Sequence, residues 1–186
     1  TLDLILELNP LDADALVLKT QILIDLGRFD AAIGVLSPVD EDDHRKKLLL
    51  GKALLGNGDV AAAKSILGAI DDPENAELWY SLARIHISEN LLQEAKVALQ
   101  QTLELKPEHP IALHDMGTIA LHEFDYKKAR SYFLKALNIN PRLKQGHHNL
   151  GIVYQLEGRL SAAAASFKRA FEIDPDYAHS KGQYTN

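Results

Sequence analysis

Apolar residues along the chain fall into short segments that recur. The stretches "EAKVALQQTLELKP", "KARSYFLKALNINP" and "AAASFKRAFEIDP" each carry an Ala, a large apolar residue four positions on, a small residue and then a Pro. Ala95, Ala129 and Ala163 are spaced by 34, and so are Pro107, Pro141 and Pro175. An earlier pair, "AAIGVLSPV" and "AAKSILGAI", fits the same template with Ala32 and Ala63. A spacing of four places the Ala and the large residue on one helical face. Self-similarity at this period predicts stacked helix pairs, A and B, neither of which can bury its apolar stripe alone.

Other positions punctuate the pairs. "LGNGD" at 55–59 and "LEG" at 156–158 read as helix-ending turns between A and B. The prolines stop helix B and aim the next helix A. A Gly or Ala partway along helix A, facing the Ala of helix B, lets the two axes approach. The first two repeats are short, with 31 residues from Ala32 to Ala63 and 32 from Ala63 to Ala95. Pro38 falls where helix B should continue, at a cost of about 3 kcal/mol in a helix interior. Helix B of the first repeat should therefore end near Ser37, with an irregular step over 37–44 and Asp42 or Asp43 capping the next helix.

With these columns in place, the chain resembles the tetratricopeptide repeat family, whose pattern is W-x2-L-G-x2-Y, then A-x3-F, then P. The third repeat carries Trp79, Leu82 and Ala83, then Ala95, Leu99 and Pro107; the fourth carries Leu113, Met116, Gly117, Ala129, Phe133 and Pro141. The fifth has Leu150, Gly151, Tyr154, Ala163, Phe167 and Pro175, with His147 in the Trp column. The second offers Leu50, Gly51, Leu54, Ala63 and Leu67, with Lys47 in place of the aromatic, and in the first Lys19 and Thr20 replace Leu-Gly. The resemblance implies an all-α fold, a right-handed superhelix that forms an α-solenoid of antiparallel helix pairs. It implies one domain over 1–186: the end of a preceding repeat at 1–12, repeats at 13–43, 44–75, 76–109, 110–143 and 144–177, and a partial helix or tail at 178–186. The opening "TLDLILELNP" has no initiator Met and reads as the end of an amphipathic helix, so the chain is expected to be a segment of a longer protein.

Composition narrows the function. No apolar run approaches the roughly 18 residues of a membrane span, so no membrane insertion is expected of this segment. The absence of cysteine excludes disulfides, thiolate metal sites and a Cys nucleophile. The net charge of -6 is uneven: ten acidic residues stand against Lys19 and Arg28 up to Asp43, and from Pro110 onward ten basic residues meet seven acidic ones. Nucleic acid as a partner is disfavoured, since it calls for a basic face.

Candidate chemistry reduces to repeat architecture. Gly51 and Gly56 have the spacing of a phosphate loop, but Asn57 and Gly58 stand where Lys and Ser/Thr are needed. Of eight histidines, six lie from His109 onward, yet no HExxH spacing occurs and "HEFDY" at 122–126 has only its first two letters. His114 and His122 are eight residues apart, about 12 Å along a helix, too far to share an ion. No nucleophile, base and orienter arrangement stands out. The reading is a non-enzyme with no metal and no cofactor.

The family resemblance implies that ligands lie against helices A on the concave face. The candidate partner-binding residues are Lys52 and Leu55; Tyr80, Arg84 and Ile87; His114, Thr118 and Leu121; and His148, Asn149 and Ile152. Ile24, Leu55, Ile87 and Leu121 form one column, read as an apolar rail for an extended or helical peptide. His147 should pack against its own helix B while His148, about 100° away, faces the groove. Histidines there would make binding sensitive to pH near 6 to 7. The Lys and Asn set with which some family members clamp a terminal carboxylate is absent, and Asn149 resembles the asparagine rail of O-linked N-acetylglucosamine transferase repeats. The expected partner is a protein or peptide, with self-association through exposed solenoid ends as a further expectation. Two alternatives remain at this point: the substrate-recruiting region of a glycosyltransferase or sulfotransferase, and a periplasmic assembly scaffold of a bacterial export system.

Overall fold

The computed structural model describes residues 12–36 and 43–180. The expected half-repeat at 1–12 and the irregular step after Ser37 fall, but for Asp12 and Asp43, outside these residues. Among the described residues the fold is all-α, with eleven helices and no strand. They are α1 (Ala13–Asp25), α2 (Phe29–Leu36), α3 (His44–Asn57), α4 (Val60–Gly68), α5 (Ala76–Ser88), α6 (Leu92–Leu105), α7 (Pro110–His122), α8 (Tyr126–Ile139), α9 (Lys144–Leu156), α10 (Leu160–Ile173) and α11 (Pro175–Ser180). The chain divides into two compact units between Ala98 and Leu99, within α6.

Six helices, α1, α3, α4, α5, α7 and α8, start where the sequence supplies a side-chain acceptor for orphan N–H groups, whereas Leu143 and Arg159 at the starts of α9 and α10 supply none. Asp12 accepts from Ala15 N, Asp59 from Ala62 N and Asp125 from Lys128 N. Asp43 takes both Arg45 N and Lys46 N, as its position predicted, and Asn75 takes Glu77 N and Leu78 N. At α7 the acceptor is a histidine: Nδ1 of buried His109 lies 3.0 Å from Ala112 N. The turns from A to B reverse through one residue with positive φ, Gly27, Gly58 and Gly158 in three of them, and Asn90 and Phe124 in the other two.

In the N-terminal unit α1, α2 and α3 close over Leu23, Ala32 and Ala53. A second cluster joins Leu54, Leu55, Ala63, Leu67, Ile70, Leu78 and Ile85 across α3, α4 and α5. In the C-terminal unit α7 packs on α8, α8 on α9 and α9 on α10, around Leu113, Ala129, Phe133, Leu137, Leu150 and Val153.

The glycine column of helix A decides how closely each pair approaches. A Cβ on Gly117 would stand 2.7 Å from Phe133 Cε1, and one on Gly151 would stand 2.6 Å from Phe167 Cε1. Gly51 meets Leu67 in the same way, at 2.4 Å. Phe133 is fully buried, so its ring has nowhere to retreat. Gly117→Ala should therefore lower stability by about 1–3 kcal/mol through overpacking. Urea unfolding checks this: Gly117→Ala combined with Phe133→Leu should lose less than the sum of the two single changes, because the smaller side chain vacates the contested space.

Candidate functional site

In the N-terminal unit the candidate side chains stand on α3 and α5. Lys52 Nζ lies 3.2 Å from Glu77 Oε2, linking the two helices through a half-exposed ion pair. Tyr80 and Arg84 are half-buried and Ile87 is 37% exposed. Leu55 does not line a surface: it is buried in the core cluster with Leu54, Leu67 and Ile85. Of the same apolar column, Ile24 and Leu121 are half-buried, Ile24 against the Leu23 cluster and Leu121 against the core of the C-terminal unit. A 100° step along helix A says which side a residue leaves from, but the neighbouring pair decides whether that side is covered.

In the C-terminal unit three candidates meet. Asn149 Nδ2 on α9 lies 3.0 Å from His114 Nε2 and 3.4 Å from Thr118 Oγ1, both on α7. Thr118 Oγ1 itself donates to His114 O at 3.1 Å. His114 Nδ1 is 3.0 Å from Asp115 Oδ1, and its ring lies 5.5 Å from that of Phe133. With Asn149 donating to Nε2, the imidazole proton sits on Nδ1 and points at Asp115. The amide oxygen of Asn149 has no donor among the described residues. Ile152 is half-buried beside it, one turn along α9.

His148 is corrected. It is 4% exposed, with its ring 5.5 Å from Phe167 and 5.7 Å from Tyr177, both edge-on. Tyr177, in the first turn of α11, covers the side of α9 that a groove reading leaves open. His147 braces the turn before its own helix: Nε2 is 2.9 Å from Pro141 O. Trp79, in the same repeat column, donates Nε1 to Pro73 O at 2.8 Å. The two adjacent histidines thus serve separate packing roles.

Sequence reasoning missed Asp115, Glu77 and Tyr177. Asp115 was within reach, because it occupies in the fourth repeat the column Asn149 occupies in the fifth. Among the described residues no group of three His, Cys, Asp or Glu side chains could hold a metal, and no helix is long and apolar enough to cross a membrane.

These features define a class, a helix-pair repeat protein with a polar helix-A face in its C-terminal unit. Family models described as "Tetratricopeptide repeat" match residues 54–118 and 108–176. The chain belongs to the tetratricopeptide repeat family. Among curated relatives, it is 30% identical over 126 residues to human protein O-mannosyl-transferase TMTC3, covering 65% of this chain and 14% of that protein. It is 29% identical over 103 residues to the UDP-N-acetylglucosamine–peptide N-acetylglucosaminyltransferase of Giardia intestinalis, covering 55% of this chain and 7% of that protein. The chain therefore spans a small part of these relatives. Among solved structures, MamA shares 25% identity with a TM-score of 0.66, over 86% of this chain and 96% of its own. TTC0263 of Thermus thermophilus shares 19% with a TM-score of 0.73, over 87% and 91%. These two likenesses establish the fold.

At the C-terminal end of the described residues, Asp174 locks the start of α11 against α9. Asp174 accepts from Tyr177 N at 3.0 Å and from Lys144 Nζ, and Lys144 also stands over the Tyr177 ring at 5.1 Å. The Lys144 hydrogen bond, reinforced by the Tyr177 N–H, holds the Asp174 carboxyl below its ordinary 3.8, while burial pushes the Tyr177 phenol above 10.0. A lowered carboxylate pKa contributes stability that is fully present above 3.8 and is lost as pH falls through the lowered value. Amide exchange in Pro175–Ser180 should accelerate relative to α10 only below about pH 4, and Asp174→Asn should produce that loosening at neutral pH. Equal protection of α11 in the two chains at pH 7 would dismiss the lock.

Proposed function

We propose that this chain is a non-catalytic protein-interaction module whose helix-A faces take up a peptide or an extended partner segment. The observation that carries this reading is the Asn149 amide. His114 and Thr118 fix its nitrogen, which leaves the oxygen to accept a backbone N–H from an incoming strand of peptide. Ile152 lies alongside for an apolar side chain. In the N-terminal unit, Tyr80, Arg84 and Ile87 supply an aromatic, a cation and an exposed apolar group on α5. The family itself supports a scaffold role.

A second reading has its own support. Two of the relatives are named as glycosyltransferases, so the segment could recruit substrates for a catalytic domain elsewhere in a longer chain. Reading the transcript on either side of residues 1 and 186 decides between them: a transferase domain on the same chain carries the second reading.

The binding reading is tested with a peptide selected from a random display library on the 186-residue chain. Asn149→Ala should weaken capture of that peptide roughly fivefold to tenfold, the worth of one hydrogen bond, with the unfolding midpoint little changed. Arg84→Ala should do the same for peptides that engage the N-terminal unit. Unchanged affinity in both variants moves binding away from the helix-A faces.

A further inference from the structure

The start of α9 carries a cradle that the chain fills with its own residues. Lys144 and His148 leave α9 one turn apart, and Asp174 and Tyr177 meet them from the side of α11. Lys144 Nζ pairs with the Asp174 carboxylate and stands 5.1 Å from the centre of the Tyr177 ring. That ring meets the His148 imidazole edge-on at 5.7 Å. Beneath it, Phe167 of α10 lies 5.5 Å from the imidazole, and His148 is left 4% exposed. One ammonium thus engages a carboxylate and, three residues on, an aromatic ring, while the imidazole edge fixes where that ring sits. His114, in the same column one repeat earlier, is met by Asn149 and not by a ring, so the cradle is particular to α9.

The occupant is weakly held. α11 has six residues, and an isolated helix shorter than about 12 residues is marginal in water. The Lys144 and Asp174 side chains are 32% and 31% exposed, and an ion pair of that kind adds little stability. Asp174 also accepts from Tyr177 N at 3.0 Å, so a single acid both joins α9 and starts α11. Opening such a segment is a local event that leaves α9 and α10 folded. The cradle keeps its shape when α11 leaves, because the Phe167 ring beneath it is clasped against Gly151, where a Cβ would stand 2.6 Å from Cε1.

We propose that this face of α9 is a peptide-binding site that selects a carboxylate followed three residues later by an aromatic ring, and that α11 is its built-in competitor. A partner segment carrying that pair displaces α11 and takes over Lys144 and His148. The inference rests on the reading of helix-A faces as peptide sites, and it adds a second address on α9 with a cover that opens.

The probe is a fluorescently labelled synthetic peptide, EIDPDYAHS, which repeats residues 172–180, titrated against the full 186-residue chain by anisotropy. In the wild-type chain, capture is reduced to the fraction of molecules in which α11 is open. Tyr177→Ala and Asp174→Asn in the chain should each tighten capture about tenfold or more, with urea unfolding still cooperative. Asp174→Asn carries the comparison if Tyr177→Ala disturbs the fold. Lys144→Ala added to either should abolish the gain, and peptides carrying Tyr177→Ala or Asp174→Asn should not be captured at about 1 mM. Equal capture by the wild-type chain and both opened variants, or none by any of them, overturns the proposal. A gain that survives Lys144→Ala or the loss of the peptide's tyrosine overturns it too. A wild-type dimer in sedimentation that Tyr177→Ala dissolves would also overturn it, and would give the cradle to α11 of a second copy. Failure here leaves the helix-A reading standing, because that reading is scored by Asn149→Ala and Arg84→Ala on library peptides.

Discussion

The close approach of a helix-A glycine to a large side chain on helix B sets the geometry of each pair. Gly117 against Phe133 and Gly151 against Phe167 leave no room for even a methyl group, so the two helices are held at the distance the ring dictates. Everything on the helix-A face inherits that distance. His114 lies over Phe133, and His148 lies over Phe167, each at 5.5 Å. The reach of Asn149 from α9 to α7 depends on two such pairs standing side by side in one register.

Charges lie along the seams between pairs. Lys64, the residue after the buried Ala63 of one helix B, pairs with Glu89 at the end of the next helix A. Arg130, the residue after Ala129, pairs with Glu157 at the equivalent place. Lys52 with Glu77 links α3 to α5, and Lys144 with Asp174 links α9 to the start of α11. Partly exposed pairs contribute little to stability. Their effect is on register: a slip between pairs would bring like charges together and separate the ones now joined. These eight charges are thus committed to stacking.

The family and the helix pairs were legible because they rest on columns that recur: Ala95, Ala129 and Ala163, the prolines, and the glycines facing Phe133 and Phe167. Asp43 as a cap was legible for a local reason, since capping depends only on the next few residues. The site was less so. Leu55 and His148 share columns with residues that are more exposed, and their burial is completed by helices beyond their own A–B pair: α5, through Ile85, in one case and the first turn of α11, through Tyr177, in the other. Phe124 was invisible as a feature because its backbone angle is unusual only by comparison with the glycines of other turns. Periodicity reports what the repeats share, and binding surfaces are built from what they do not.

His114 and His148 make that point within 34 residues. Both imidazoles lie on the B-helix phenylalanine of their own repeat, so in both the column position is structural. They part at the next element along the chain. His148 meets Tyr177 and is sealed, whereas His114 meets Asn149, whose amide can hydrogen-bond on one side to the ring and on the other to a visitor. A tyrosine in one place and an asparagine in the other thus turn the same histidine column into core in one repeat and into the floor of a polar surface in its neighbour. Specificity in such a chain comes from these single departures, which cost the repeat nothing because the glycine and the ring beneath them continue to set the spacing.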